Sequence, residues 1–516
     1  MAGDSPVAAP VKCILFNSFL GFCYSHPARV SGTLGESIRL RDRRFGTALP
    51  VFVPRRRGYL MPVLASELDS SDIPRLRRVL TVWDLAFYGV VAVTPSAPAT
   101  VFGLAQLKSH GHAVDTLLVA MVAMVLTAIS YGRMAALYPS AGSAYTYVGR
   151  GLHPYLGFVA GWAMLLDYIV SPLFCVMFGT LSLMRSVPVL PYPVGAAMFA
   201  GGITYLNLRG IRSTVRTNQI LLAFMFIVLL SYVVLAIRWL VHQGAGGLFS
   251  IKPFYNAATF NVRDIGHATS FAALAYLGFD AVTTLAEDVK NPRKNVMLAA
   301  VGVCVFTGLL GTLLVYLAQL VWPDYNTFSN IETAFIEVTG RVGGIVLFRA
   351  MAILLLVAMI GAGLTTQVGA ARLLFGMGRD NLIPRRFFAH LHPTRNTPNY
   401  NIWLIGILTY GGALVMSYEV TAEILNFGAF LGFMGVNLAV IWQFWVRRAQ
   451  GYRREFFADV VLPAVGFLFC TAIWWGLAAP AKIAGGIWFV VGMFVLGVRT
   501  RAFRQELSLP DPATYE

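Results

Sequence analysis

Long apolar runs alternate with short polar segments over most of the chain from about residue 80 onwards. Most of these runs reach ~18 residues or more, the length that a helix needs to cross the hydrocarbon core of a bilayer. Spanning segments are helical because lipid offers no partners to unpaired backbone groups. The pattern predicts twelve spans, with approximate cores at 82–103, 114–137, 156–184, 192–208, 217–241, 265–286, 297–321, 345–370, 401–417, 424–446, 457–478 and 484–500.

Composition agrees with a membrane protein. Hydrophobic residues make up 57% of the 516 residues and charged residues only 12%, whereas a soluble domain carries about 25% charged residues. The mean hydropathy is +0.66. A soluble enzyme is therefore excluded, and the chain is predicted to be an all-α polytopic protein that lies in the lipid bilayer.

The distribution of basic residues predicts the orientation. The net charge of +16 comes mainly from Lys and Arg in the N-terminal tail, in the loops after even-numbered spans and in the C-terminal segment. This bias fits the positive-inside rule and places both termini in the cytoplasm, with the protein in the cell (inner) membrane. The charge calls for no nucleic-acid partner. The five cysteines form no C-x-x-C motif, so we expect neither a metal site nor another cofactor.

Residues 1–78 are predicted to be a cytoplasmic tail, and residues 1–60 differ from the remainder in composition. Their one apolar stretch is too short to span a bilayer. Two arginine-rich runs, at 39–44 and 55–57, have the composition of segments that contact anionic lipid. We favour the alternative that residues 1–60 are a spurious extension and that translation begins at Met61.

Two predicted spans contain helix-breaking residues near their centres. The first span has Pro95 and Pro98, which remove two backbone donors and clash with the preceding turn. The sixth span has Gly278 and Asp280 between aromatic residues. A proline kink would explain the first span alone, but matching breaks five spans apart favour a transporter built from inverted repeats. The half-helix ends at such breaks can bind a carboxylate or a cation.

Two aspartates lie inside predicted spans, Asp167 in the third and Asp280 at the break in the sixth. A charged carboxylate at the bilayer centre costs roughly 2.5–3.5 kcal/mol on insertion scales. Neither has a lysine or arginine at helical spacing in its own span, so each needs a partner elsewhere: a substrate ammonium, a proton or a polar network. The alternative is a structural aspartate bonded to the backbone or to tyrosine hydroxyls.

Several other polar residues are candidates for the pocket or for gates. The eighth span carries Thr365 and Thr366, and the tenth carries Asn426 and Phe427. These four are predicted to line the pocket, although the small residues of the eighth span also suit simple helix packing. Four charged residues near the predicted cytoplasmic ends are expected to form a gate or structural ion pairs: Arg133, Glu287, Asp288 and Arg379.

Several motifs carry a resemblance to a known family. They include Tyr-Pro-Ser-Ala-Gly-Ser-Ala-Tyr-Thr-Tyr at 138–147, Gly-Phe-Asp-Ala-Val-Thr-Thr-Leu-Ala-Glu-Asp at 278–288, Asn-Pro-Arg at 291–293 and Gly-Met-Gly-Arg-Asp-Asn-Leu-Ile-Pro at 376–384. Over about residues 75–505 the sequence resembles the amino acid–polyamine–organocation (APC) superfamily of permeases. It looks most like the branch that contains bacterial putrescine importers and amino acid permeases.

The resemblance implies a leucine-transporter-type fold of 12 transmembrane helices, with two inverted five-helix repeats, two extra helices, and breaks in helices 1 and 6. The implied divisions are a tail at 1–78, the first repeat at 79–241, the second at 242–446, helices 11–12 at 447–505 and a cytoplasmic C-terminal tail at 506–516. Substrate would bind between broken helices 1 and 6, in a site bounded by helices 3, 8 and 10. The implied binding residues are Thr94, Pro95, Ser96, Ala97, Asp167, Tyr168, Tyr276, Gly278, Phe279 and Asp280, with Tyr276 or Phe279 as an aromatic gate.

Two positions depart from patterns that such relatives tend to share. Some proton-coupled relatives carry a lysine in helix 5 where sodium-coupled ones bind sodium, but Phe224 and Met225 occupy this region here. Putrescine importers tend to have an aspartate near the place of Thr100. The second departure argues against a diamine, because two ammonium groups would want two desolvated anions, which Asp167 and Asp280 could still provide.

Together these features predict a secondary active transporter that imports amino acids or polyamines by alternating access. Its expected partners are a small-molecule substrate and a proton. A narrower alternative is an importer specific for putrescine or other polyamines, and a further alternative is a transporter-like sensor that does not transport. The sequence shows no catalytic constellation and no Gly-x-x-x-x-Gly-Lys phosphate loop, so neither an enzyme nor a primary pump is expected.

Overall fold

The structure is a computed structural model that describes residues 80–139, 143–209, 215–243, 248–379, 384–392, 397–448 and 452–500. The predicted tails at 1–78 and 506–516 lie outside these residues. The α-helices of the described chain are α1 (Val82–Val93), α2 (Ala97–Lys108), α3 (Ala113–Leu137), α4 (Ser143–Gly151), α5 (Pro154–Ser186), α6 (Tyr192–Arg209), α7 (Val215–His242), α8 (Val262–Ala272), α9 (Pro292–Val321), α10 (Ala334–Arg379), α11 (Arg385–Phe388), α12 (Asn399–Val415), α13 (Tyr418–Val440), α14 (Leu462–Trp475) and α15 (Ala479–Arg499). Two 3₁₀ helices, η1 (Ala273–Tyr276) and η2 (Phe279–Asp288), follow α8.

Most of these helices have the length and composition of membrane spans. In the described residues, eight are long and apolar enough to cross a bilayer, and the bent pairs formed by α1 with α2 and by α8 with η2 each qualify as one further span. Helices α6 and α12, of 18 and 17 residues, cover two more of the predicted cores. Helix α4 and the short α11 were not predicted, because their sequences are not long apolar runs.

Both predicted helix breaks are confirmed. Helices α1 and α2 meet at an angle of 47°, and the two halves of the sixth predicted span meet at 42°. At the first break Thr94 adopts a φ of +61°, beside two prolines that supply no amide hydrogen. At the second break Gly278 adopts a φ of +103°, a left-handed conformation that glycine reaches without steric cost.

The two breaks touch each other. A Cβ at Gly278 would lie 3.1 Å from the carbonyl oxygen of Ala92, which directly precedes the first break. A parallel backbone bridge joins Leu80 to Val289, and the amide of Lys290 donates to the carbonyl of Leu80 at 3.0 Å. The first half of span one and the second half of span six are therefore in contact at both of their ends.

Helix α5 lies at the centre of the bundle. It packs against α4, α6, α10, α12, α13 and α15, and buried apolar side chains form one cluster through most of the helices. Its contact with α15 is reciprocal. The indole nitrogen of Trp162 donates to the carbonyl of Trp488 at 2.9 Å, the indole of Trp488 donates back to the carbonyl of Trp162 at 2.8 Å, and the two rings stack at 4.9 Å.

Candidate substrate-binding site

The first break holds a buried polar side chain, that of Ser96. The hydroxyl of Thr94 donates to the carbonyl of Val93 at 2.6 Å, and the amide of Ala97 donates to the carbonyl of Thr94 at 3.0 Å. Ser96 between them is fully buried, and its hydroxyl has no hydrogen-bond partner among the residues that the structure describes. Buried polar groups are nearly always bonded. This hydroxyl, at the start of α2 beside the buried Pro95, is therefore available to a ligand.

The second break places its aromatic residues in different directions. The hydroxyl of Tyr276 donates to the carbonyl of Leu117 in α3 at 2.8 Å, so this ring is anchored on α3. Phe279, just after Gly278, is fully buried. Of the two predicted gate residues, Tyr276 is held by a hydrogen bond, whereas the ring of Phe279 has no polar group that could form one. Its position in the first turn of η2 puts it directly beside Asp280.

The two aspartates predicted from the sequence face the same region of the bundle. The carboxylates of Asp167 and Asp280 lie near enough for their charges to interact, and Tyr168 interacts with both. The hydroxyl of Ser171 donates to Asp167 at 3.3 Å. Both aspartates retain partial exposure inside the bundle. They therefore border a space rather than being sealed in packed side chains.

Asp280 also has contacts with the backbone. Its carboxylate interacts with the amide groups of Gly278, Ala281 and Asp280 itself, at the N-terminal end of η2. Such an end attracts anions because its amide groups are unpaired and the helix dipole is positive there. The structural alternative, an aspartate held by the backbone, thus describes part of the surroundings of Asp280. For Asp167, the hydrogen-bond donor within the described ranges is the hydroxyl of Ser171.

The described chain supplies no cation to these carboxylates. Its salt bridges lie at other places, and no lysine or arginine among the described residues pairs with Asp167 or Asp280. Two carboxylates in one apolar environment repel each other and lose hydration. A bound cation, or protons, would offset both costs.

Aromatic side chains close the space on both sides. Toward the predicted outer face, Tyr418 of α13 stacks on Phe174 at 5.0 Å and lies 5.9 Å from Phe271. Toward the predicted inner face, the ring of Phe279 lies 5.6 Å from Tyr131 and 5.2 Å from Phe433. We call these groups the outer and inner aromatic layers.

The contacts of α13 place Asp167 between the two layers. A Cβ at Gly428 would lie 2.3 Å from the carbonyl oxygen of Ala163 and 3.5 Å from the backbone nitrogen of Asp167. Tyr418 lies ten residues before Gly428 and Phe433 five residues after it, which is about 15 and 8 Å along a helix. The site is therefore closed toward both faces.

The other predicted pocket residues are dispersed. Thr366 interacts with Cys175, which itself interacts with Asp167, but Thr365 is exposed and its hydroxyl bonds the carbonyl of Gly361 at 3.0 Å. Asn426 donates to the carbonyl of Ser270 at 2.6 Å. It therefore joins α13 to the end of α8.

Phe427 and the predicted gate charges occupy other places. Phe427 packs on Trp474 at 5.2 Å and fills the space left by Gly485 of α15, so it faces the last two helices. Arg133 forms a salt bridge with the fully buried Asp459 at the start of the eleventh predicted span. The side chains of Glu287, Asp288 and Arg379 lie outside the part of the chain that the structure describes.

Some residues at the site were missed by sequence reasoning. Tyr88 of α1 interacts with Asp280, Tyr168 and the hydroxyl of Thr284. Ser171 follows Asp167 by four residues, the spacing that puts two side chains on one helix face, so its role was readable from the sequence. The position of Tyr88 depends on how α1 packs against the other helices, and no local pattern indicates it.

Comparison with known proteins identifies the family. The amino acid permease family matches residues 80–500, which is nearly the whole described chain. The protein belongs to this family. The chain is 30% identical over 436 residues to the low-affinity putrescine importer PlaP of Escherichia coli, covering 83% of this chain and 95% of PlaP.

Other relatives of this permease are named for different substrates. The branched-chain amino acid permease BcaP of Lactococcus lactis is 26% identical over 459 residues, covering 83% of this chain and 96% of BcaP. The methylthioribose transporter of Bacillus subtilis is 26% identical over 459 residues, covering 84% and 95%. These relatives are permeases and transporters rather than enzymes. The protein is thus a multi-pass membrane transporter of a small molecule.

A solved structure supports the fold. A crystal structure of a mutant manganese transporter of Eremococcus coleocola matches with a TM-score of 0.50 at 11% sequence identity, covering 85% of this chain and 99% of that chain. At this identity the likeness concerns the fold alone.

Proposed function

We propose that this permease is a secondary active transporter that imports a polyamine of the putrescine type. The observation that carries the proposal is the pair of carboxylates, Asp167 and Asp280, in one central space without a cationic partner in the described chain. A diamine brings two ammonium groups to two carboxylates, so charge and hydrogen-bond donors balance. The likeness to a putrescine importer supports the same substrate class.

The surroundings of Asp280 weigh against a substrate with a free carboxylate. In a transporter with broken helices, the N-terminus of a half-helix can bind the carboxylate of an amino acid. Here Asp280 itself interacts with the amides at the start of η2. A substrate carboxylate at this end would meet a like charge, which is unfavourable in a low-dielectric space. Thr100 of α2 stands near the place where putrescine importers tend to have an aspartate. Asp167 and Asp280 supply two anions without that aspartate.

Amino acids remain the second candidate, and one observation favours them. The buried hydroxyl of Ser96 finds no partner in the described part of the chain and lies at the N-terminus of α2. Together with that helix end it could hold the carboxylate of an amino acid whose ammonium contacts Asp167. The branched-chain amino acid permease among the relatives belongs to this substrate class.

The finer features of the transport cycle are part of the proposal. Adding α6 and α12 to the ten spans that qualify by length and composition gives the predicted twelve. Two inverted five-helix repeats would account for breaks five spans apart. We assign the positively charged loops and both termini to the cytoplasm of the inner membrane. Proton coupling would use Asp167 or Asp280 as the carrier, since an unpaired buried carboxylate can take up a proton.

Uptake into proteoliposomes tests the substrate. Purified protein is reconstituted, and radiolabelled putrescine is compared with a panel of amino acids, with and without an inward proton gradient. We expect putrescine uptake that rises with the gradient and falls at least about tenfold in Asp167→Asn. Asp324→Asn, in the exposed loop between α9 and α10, serves as the matched control and should match the wild type. Amino acid uptake that putrescine does not inhibit would replace the polyamine assignment by the second candidate.

A further inference from the structure

A charged contact joins α2 to α13 at the predicted outer face. The ammonium of Lys108, at the end of α2, lies 2.5 Å from Glu419 and 2.8 Å from Glu423 at the start of α13. The side chain of Glu423 is 1% exposed, that of Lys108 is 22% exposed and that of Glu419 is 38% exposed. The three residues, which we call the outer triad, thus range from deeply buried to partly exposed.

The outer triad belongs to a row of contacts on one helix face. In α13, Glu419, Glu423 and Asn426 follow each other at four- and three-residue spacing, which aligns them on one side of the helix. Asn426 bonds the carbonyl of Ser270 at the end of α8. Tyr418, at the start of the row, donates to the carbonyl of Thr100 in α2 at 2.7 Å. The first three turns of α13 therefore hold the outer halves of both broken spans.

The partners in the triad are unequally anchored. The second carboxylate oxygen of Glu423 accepts the amide of Ala478 at 2.7 Å, so the loop between α14 and α15 fixes Glu423 on the side of α13. Among the described residues, the hydrogen-bonding partners of the Lys108 ammonium are these two carboxylates, and the ammonium also lies 6.0 Å from the centroid of the Phe271 ring in α8. When α2 moves away from α13, it is Lys108 that leaves, and Glu423 remains as a buried carboxylate without a counter-charge.

We propose that Lys108, Glu419 and Glu423 form an ionic latch that holds the outer side of the transporter closed. Separating α2 from α13 exposes the central site to the predicted outer face and breaks the latch. Reclosure restores the pair and removes the unpaired charge of Glu423. The latch acts on the positions of the half-helices and not on the substrate. It rests on the transporter function but is independent of which substrate is carried.

Labelling of a native cysteine tests the latch. Cys175 is buried on α5, eight residues after Asp167 and next to Phe174 of the outer aromatic layer. A reporter variant has the four other cysteines replaced by alanine, is first shown to transport, and is then placed in lipid nanodiscs. The reaction of Cys175 with a cationic methanethiosulfonate is followed by mass spectrometry. No substrate is present, so failure of the substrate proposal does not affect the outcome.

Loss of the lysine should open the outer side. We expect Lys108→Met to raise the labelling rate of Cys175 by about tenfold or more, because the closed population falls when one partner of the buried pair is lost. Lys482→Met removes a lysine near the same loop, where Lys482 contacts the carbonyl and the ring of Trp475. This control should leave the labelling rate unchanged.

A charge exchange separates the latch from a simple packing effect. Lys108→Glu alone places three carboxylates together, and it should label at least as fast as Lys108→Met. The double variant Lys108→Glu with Glu419→Lys again has one lysine and two carboxylates, and its rate should return to within about threefold of the wild type. If Lys108→Met does not yield folded protein, Glu419→Gln serves in its place, with a smaller expected increase since Glu423 still pairs. Unchanged labelling in the single variants, or no recovery in the double variant, would overturn the latch.

Discussion

The two closures of the central site differ in chemistry. On the outer side, α2 meets α13 through the outer triad and the bond from Tyr418 to Thr100, with aromatic rings beneath them. On the inner side, Phe279 is enclosed by Tyr131 and Phe433, and a backbone bridge near Leu80 ties the broken spans together. Ionic and hydrogen-bonded contacts are directional and sensitive to solvent, whereas aromatic packing depends on shape and buried area. Changes in charge should therefore act mainly on the outer closure, and changes in side-chain shape mainly on the inner closure.

The largest expected effect concerns the inner aromatic layer. Phe279→Ala should lower the free energy of unfolding by about 3–5 kcal/mol, because it empties a fully buried space between three helices. Denaturant titration of the purified protein in detergent micelles measures the change. Phe306→Ala, at an exposed ring on α9 (38% exposed), is the control and should cost much less. Equal losses in the two variants would show that the inner layer is not a tightly packed closure.

A second variant introduces a larger side chain between the inner halves of the broken spans. A Cβ at Gly89 of α1 would lie 2.6 Å from methyl groups of both Val282 and Val303. Gly89→Val should therefore cost about 1–3 kcal/mol through overpacking and reduce uptake. Gly302→Val puts the same side chain on α9 where nothing lies within 4 Å. Stability and uptake in Gly89→Val no lower than in Gly302→Val would contradict close contact of α1 with η2.

A smaller effect is expected at the uncharged bond of the outer closure. Tyr418→Phe removes the hydroxyl that donates to Thr100 while it keeps the stacked ring. The closed state should lose about 1 kcal/mol, the usual contribution of one hydrogen bond, and Cys175 should label severalfold faster. Tyr400→Phe, at an exposed tyrosine of α12, should not change the rate. A larger increase than in Lys108→Met would mean that the hydroxyl, and not the charge, holds the outer side.

The smallest expected effect is the response to salt. Lys108 and Glu419 are partly exposed, so raising the ionic strength to ~1 M should weaken their attraction by less than about 1 kcal/mol. The labelling rate of Cys175 should rise about twofold in the wild-type reporter and should not respond in Lys108→Met. A salt response of the same size in both proteins would place the effect outside the outer triad.

Much of the fold was readable from the sequence because membrane spans leave a local signal. Apolar runs predicted where the long helices lie, and Pro95 with Pro98 predicted the break between α1 and α2. The pairing of the breaks followed from their spacing. The placement of Asp167 beside Asp280 is a feature of tertiary packing, and the sequence indicated it only through the resemblance to other permeases.

The contacts between distant helices were not readable. Lys108 and Glu423 are 315 positions apart, and the sequence shows only a lysine and a glutamate near two span ends. The directions of Phe427 and Tyr276 depend on helix rotation about the long axis. In a span that is apolar all round, no periodic pattern indicates this rotation. Residues such as these require the packed structure.

The interlocked indoles of Trp162 and Trp488 have a consequence for biosynthesis. Each indole nitrogen is bonded by a carbonyl of the other residue, and lipid offers no substitute for either bond. Because Trp488 lies 326 positions after Trp162, the third span carries an unmet donor until α15 has been inserted. Arrested or mis-inserted chains thus present a polar defect to the membrane quality-control machinery, and insertion of α15 removes it.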